Sequence, residues 1–115
     1  MNIVNNFLFA LLLIGSIFML AGVVMIVFPP KKINSLYGYR TSASMKSQER
    51  WNFAQKYSAK EMIKLGGISI LTSAIGFVYQ PNENIITIIS VGLALLIAVV
   101  LIVRVEKAIR KRFSD

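Results

Sequence analysis

Between residues 34 and 52 the chain gathers the side chains best suited to recognition: Asn34, Tyr37, Gly38, Tyr39, Arg40, Thr41, Ser44, Ser47, Glu49, Trp51 and Asn52. Arg40 presents a planar fork of N–H donors that fits a carboxylate, a phosphate or a set of carbonyl oxygens. Two tyrosines flank Gly38, a residue that permits turns closed to residues carrying a Cβ. Thr41 and Ser44 are placed to cap a following helix. A structural reading carries equal weight: Arg40 pairs with Glu49 or with helix-end carbonyls, and the aromatics anchor the segment to a membrane surface.

Bond-breaking chemistry has little to work with. The chain holds no His and no Cys, which removes thiol chemistry, disulfides and Cys- or His-ligated metals. Glu49 and Glu61 stand twelve residues apart with no second acid pair nearby, so no metal or cofactor site is expected. Serine and threonine hydroxyls have no base to activate them, so an enzyme is not expected either. Function should rest on binding.

The elements that position these residues are set by three apolar runs, at about 7–28, 62–79 and 85–103. A run of about 20 residues rises roughly 30 Å as a helix, the thickness of a bilayer's hydrocarbon core. The middle run is the shortest and carries Lys64 near one end, where its ammonium can snorkel to the interface. Pro29 and Pro30 should stop the first helix, and the lack of a basic lead-in or a small-residue cleavage site argues against a cleaved signal peptide. Small residues recur at helical spacing: Gly66, Ser69, Ser73 and Gly76 in the second run, Ser90, Ala94 and Ala98 in the third. Such stripes let helix backbones approach closely, with a homo-oligomer face as the other use.

All thirteen Lys and Arg residues lie in or beside the segment between runs one and two, or in the tail 104–115. Residues 1–6 are uncharged, and the outer turn 80–84 carries only Glu83. Short basic loops stay cytoplasmic, so the expectation is an all-α integral membrane protein, a single membrane domain with three transmembrane helices, N-terminus out and C-terminus in. The net charge of +8 is then accounted for by topology and by anionic inner-leaflet lipids, and specific nucleic-acid binding is not expected.

The inner connection, residues 29–61, is far longer than two neighbouring helices need. Its aromatics separate it from a disordered linker. Residues 44–60 have few helix breakers, and a helix should begin near Ser42 or Ser44. Trp51, Ala54, Ser58 and Met62 share one face, the pattern of an amphipathic cytoplasmic helix at the membrane interface. It should run on into the second span, with a bend near Gly66 and Gly67.

The stretch Asn34-x-x-Tyr37-Gly38-Tyr39-Arg40-Thr41-x-x-Ser44-x-x-Ser47-x-Glu49-x-Trp51-x-x-Ala54 resembles the signature of the SdpI/YfhL family. One departure is Gln55, where the resemblance implies Asn; larger members carry extra spans ahead of this unit. The family comprises small bacterial membrane proteins named for immunity to a secreted, membrane-active peptide toxin. The resemblance implies a multi-pass protein of the bacterial cytoplasmic membrane that binds a peptide toxin or holds a cytoplasmic regulator at the inner face. Arg40 and Trp51 would be its main binding residues. The competing expectations are a holin-like pore former, which has no need of the patterned loop, and a small transporter subunit, which the lack of acids within the spans disfavours.

Overall fold

The structure, a computed structural model, describes residues 6–113. The described residues form three α-helices: α1 (Phe7–Val27), α2 (Gln48–Thr72) and α3 (Glu83–Phe113). A short 3-10 segment, Ser73–Phe77, tightens the end of α2. Among the described residues there is no strand. The uncharged residues 1–5 and the last two residues of the basic tail lie outside the described residues.

Asn6 caps α1, its side-chain oxygen accepting from the N–H groups of Leu8 and Phe9. Pro29 and Pro30 follow its end, as expected from their effect on helices. The second helix begins later than its composition implies: residues 42–45 form a separate turn, and Ser47 is the N-cap, accepting from the Arg50 N–H at 3.2 Å. Neither Thr41 nor Ser44 caps it, because each hydroxyl accepts from the other residue's backbone N–H within the preceding turn. Nor does α2 break at Gly66 and Gly67; it is one continuous helix from Gln48 to Thr72. Packing against α1 at Gly66 supports the helix here, so the low propensity of the glycine pair is overridden. At the other end, α3 does not stop with its apolar run. It continues through the basic residues to Phe113, 31 residues in all.

Helices α1 and α2 pack through the small-residue stripe. Gly66, Ser69, Ser73 and Gly76 are all buried, and Ser69 donates to the carbonyl of Leu11 at 3.1 Å. A Cβ on Gly66 would lie 2.6 Å from the Gly15 carbonyl oxygen, and one on Gly15 would lie 2.6 Å from that of Gly66. The two backbones therefore cross in contact, which only glycine permits. The stripe on α3 behaves differently: Ser90, Ala94 and Ala98 are only half-buried.

The third helix is buried along one stripe, Ile86, Ile97, Leu101, Val105 and Ile109. At one end Ile86 packs with Phe7 and Leu11. At the other, Leu101, Val105 and Ile109 pack on Ala54 of α2, with Tyr39 and Ala43 of the loop against them. Phe113 meets Phe53 edge to face at 5.9 Å, and Arg50 and Arg112 lie over these rings. Residues 104–113 are thus a folded helix end that seats the loop.

Helices α1 and α3 are long and apolar enough to cross a membrane. The helix of the middle run is not, because Lys56, Lys60, Glu61 and Lys64 occupy its first two-thirds. Large apolar side chains nevertheless face outward on all three, including Leu20, Ile68, Leu71, Ile88 and Leu95.

Candidate functional site

The segment after Pro30 folds back as an ordered cap on the helix ends. Asn34 starts it with an Asx turn, its side-chain oxygen accepting from the N–H groups of Leu36 (2.9 Å) and Tyr37 (2.7 Å). Tyr37 then donates its hydroxyl to the Phe28 carbonyl at 2.6 Å, closing the end of α1. Arg40 turns back over the loop, and its Nε donates to the Asn34 carbonyl at 3.0 Å. It makes no ion pair with Glu49. Arg40 is exposed, and among the described residues Nε is the one guanidinium nitrogen that makes a hydrogen bond.

Gly38 sits at φ 113°, a conformation L side chains rarely adopt. A Cβ there would also meet the Gln55 side-chain oxygen at 2.7 Å. That close approach lets Gln55, almost wholly buried, grip the loop backbone on both sides of Tyr39. Its oxygen accepts from the Tyr39 N–H at 2.7 Å, and its nitrogen donates to the Tyr39 carbonyl at 2.9 Å. The side chain of α2 thereby acts as a single rung of sheet.

The loop reaches α3 through Glu106. The hydroxyls of Tyr39 and Thr41 both donate to Glu106 Oε2, at 2.8 and 2.9 Å. Burial pushes the Tyr39 phenol above its ordinary range, and the hydrogen bond to Glu106 with its negative charge adds to this. Tyr39 is therefore a neutral donor at all physiological pH. Thr41 and the fully buried Ser44 exchange hydrogen bonds, the Thr41 N–H to Ser44 Oγ at 2.9 Å and the Ser44 N–H to Thr41 Oγ1 at 3.2 Å.

The remaining residues of the motif separate. Trp51 is fully buried and its indole N–H donates to the Pro30 carbonyl, so it is a core residue and not an interfacial anchor. The face it shares with Ala54 and Ser58 packs on protein, which corrects the expectation of a helix lying on the membrane by that face. Asn52 and Glu49 are exposed and border a shallow groove with Phe53 and Phe113, away from Arg40's hydrogen bond. The structure thus brings Asn34 through Ser44 into one unit, with Ser47 and Trp51 as its scaffold.

Sequence reasoning passed over Gln55, Glu106 and the pair Glu61–Arg104. Glu106 had a visible signal: it is the one acid among the basic residues 104–112. Glu61 is buried, accepts from Arg104 at 3.0 Å and lies 3.6 Å from the Lys64 ammonium. Burial raises its pKa, but the hydrogen bond and charge of Arg104, with Lys64 behind it, outweigh this and hold the carboxyl below its usual value. The stability it contributes is full above the unfolded carboxylate pKa and is lost as pH falls through the lower folded value. Thermal stability in detergent should therefore fall below about pH 4. Glu61→Gln should flatten that acid slope, and an unchanged slope would assign the acid sensitivity elsewhere.

Three helices with outward apolar faces, two of them long enough to cross a bilayer, define a small helical membrane protein. The chain belongs to the SdpI/YfhL protein family, whose pattern matches residues 31–104, covering the loop, α2 and most of α3. It is 44% identical over 70 residues to the uncharacterized protein YfhL of Bacillus subtilis (strain 168). That stretch makes up 57% of this chain and 64% of the relative, so the chain spans under two thirds of that protein. No solved structure matches.

Proposed function

We propose that the chain is a multi-pass protein of the bacterial cytoplasmic membrane that confers immunity to, or senses, a membrane-active peptide toxin by binding. In this reading the spans lie at about 7–28, 62–79 and 85–103, with the N-terminus outside and the C-terminus inside. The outward apolar residues Ile68 and Leu71 of α2 support the middle span, and the one-sided distribution of Lys and Arg supports the orientation.

One observation carries the role of the loop. It is fastened to all three helices: to α1 by Tyr37, to α2 by Gln55, and to α3 by Glu106. A displacement of one span by a peptide entering the bilayer moves the cap, and with it the exposed Arg40. The guanidinium nitrogens beyond Nε are the donors offered to a carboxylate or carbonyl of the toxin or of a cytoplasmic regulator. Beside the cap, a groove of about 680 Å³ lined by Phe53, Tyr57, Arg104, Lys107 and Lys111 suits an acidic regulator segment.

Expression in a bacterium sensitive to a membrane-active peptide should raise survival, and Arg40→Ala should abolish the gain while membrane abundance stays constant. Among the described residues Arg40 bonds only to its own loop, so its loss should leave the fold intact. Full protection by an abundant Arg40→Ala protein would remove Arg40 from the mechanism. Collapse of the membrane potential on expression alone would favour a holin-like pore instead.

A further inference from the structure

A cleft of about 800 Å³ separates the inner end of α1 from the first half of α2. One wall is a single face of α2, where Gln48, Asn52, Lys56 and Lys60 recur every fourth residue. The other is the end of α1 and the turn after it, with Met25, Ile26, Pro29, Pro30, Lys31 and Lys32.

The walls are fixed in place. The Gln48 amide donates to the Lys31 carbonyl at 2.6 Å and to Asn52 Oδ1 at 2.8 Å, while Trp51 holds the Pro30 carbonyl from behind. With Asn52 Oδ1 engaged, its amide nitrogen is left as a donor to the cleft.

Four ammonium groups line this space, from Lys31, Lys32, Lys56 and Lys60, and among the described residues none is paired with a carboxylate. The nearby acids are committed elsewhere: Glu61 to Arg104 and Lys64, and Glu106 to Tyr39 and Thr41. Glu49 borders the neighbouring groove with Phe113, which Asn52 and Lys56 also line, and makes no ion pair with Lys56. The lysines stand over an apolar floor, since Met25 and Ile26 belong to the first apolar run and Met25 is buried.

A free phosphate would satisfy the lysines and leave the floor unused, and an uncharged acyl chain would do the reverse. The occupant that uses both is a phosphate ester carrying hydrocarbon at the level where the first apolar run ends. We propose that the cleft binds one anionic phospholipid of the inner leaflet, its phosphate among the four lysines and Asn52, its first acyl carbons along Met25 and Ile26. The site rests on the membrane reading but not on toxin immunity.

Trp51 is the one tryptophan of the sequence and its indole touches Pro30, a residue of the cleft wall, so its fluorescence reports occupancy. The test places the full chain in phosphatidylcholine bilayers and titrates brominated phosphatidylglycerol. Trp51 should be quenched at a far lower fraction of brominated phosphatidylglycerol than of brominated phosphatidylcholine. Removing two lysines near an anionic headgroup corresponds to about a thirty-fold loss of affinity. Lys56→Gln with Lys60→Gln should show that loss, both side chains being exposed and their replacement compatible with the helix. Lys107→Gln with Lys111→Gln removes equal charge from the other groove and should change quenching less than about threefold. Millimolar inorganic phosphate should leave the quenching unchanged.

Equal quenching by the two lipids would overturn the proposal, as would equal losses in the two double variants, which would mean bulk charge alone. Displacement by inorganic phosphate would reassign the cleft to a small anion and would also overturn it. An unchanged Trp51 emission maximum in pure phosphatidylcholine certifies the fold of each variant. No toxin enters the measurement, so its failure and the failure of the immunity reading are separate results.

Discussion

Gly66→Ala should cost about 2–3 kcal/mol of stability, while Gly67→Ala, one residue on, should be neutral or slightly stabilising. The contrast follows from which face each glycine occupies. A Cβ at Gly66 would meet the Gly15 carbonyl oxygen at 2.6 Å and the Met19 backbone nitrogen at 2.8 Å. Both belong to the main chain of α1, so no side chain can swing away and the helices must separate. A Cβ at Gly67 finds nothing within 4 Å. There alanine removes only the entropy penalty that glycine brings to a helix. Thermal aggregation in mild detergent, followed by size-exclusion chromatography, reads the difference directly. If the two variants melt together, α1 and α2 do not cross at Gly15 and Gly66.

Gln55→Leu should release the inner loop while leaving the helix crossing intact. Leucine fills a similar volume but offers neither partner to the Tyr39 N–H and carbonyl, which Gln55 binds at 2.7 and 2.9 Å. Two orphaned backbone groups cost about 2–4 kcal/mol while the loop stays docked, enough to peel it into water. Limited proteolysis between residues 31 and 46 should accelerate sharply in the variant, and unchanged protection would show that Gln55 does not hold the loop. Gln55→Glu gives the argument a sign. An ionised carboxylate keeps the bond from the Tyr39 N–H but faces the Tyr39 carbonyl with a second acceptor. The neutral acid restores a donor, so the introduced group's pKa is raised in the docked state. Its docking contribution is present at low pH and lost as pH rises through that value. Acid should therefore restore protease resistance to Gln55→Glu and do nothing for Gln55→Leu.

These two substitutions also mark how much of the molecule was legible in its residues. The stripe Gly66, Ser69, Ser73 and Gly76 announced a packed face, because helical period and small size are local properties of a sequence. That α1 would answer it with Gly15 was not legible. A crossing point depends on where two helices meet, and the first run carries several small residues in no regular pattern. Likewise the glycine of the Tyr-Gly-Tyr turn implied a special backbone conformation, found at φ 113° for Gly38. Its partner Gln55 lay seventeen residues away and read as a mere departure from the motif.

Local propensity misplaces the start of α2 for a related reason. Ser42, Ser44 and Ser47 are all competent caps, and propensity cannot choose among them. Thr41 and Ser44 satisfy each other in a preceding turn, and Tyr39 and Thr41 are drawn to Glu106, so the loop stays non-helical until Ser47. Trp51 is ambiguous in the same way. An aromatic on an amphipathic helix fits a membrane interface or a protein core equally well, and only the turn that brings Pro30 across it decides.

By itself the sequence determined the helical class, the extent of the apolar runs, the stop at Pro29 and Pro30, and the family of the loop. Each depends on residue type and spacing within a few turns of chain. Only the tertiary structure decided what the loop rests on. Gln55, Glu106 and Arg104 became structural ties because folding placed them opposite Tyr39, Thr41 and Glu61, across 16, 65 and 43 residues respectively. Pairings over such separations are chosen by the geometry of three packed helices, and no local pattern encodes them.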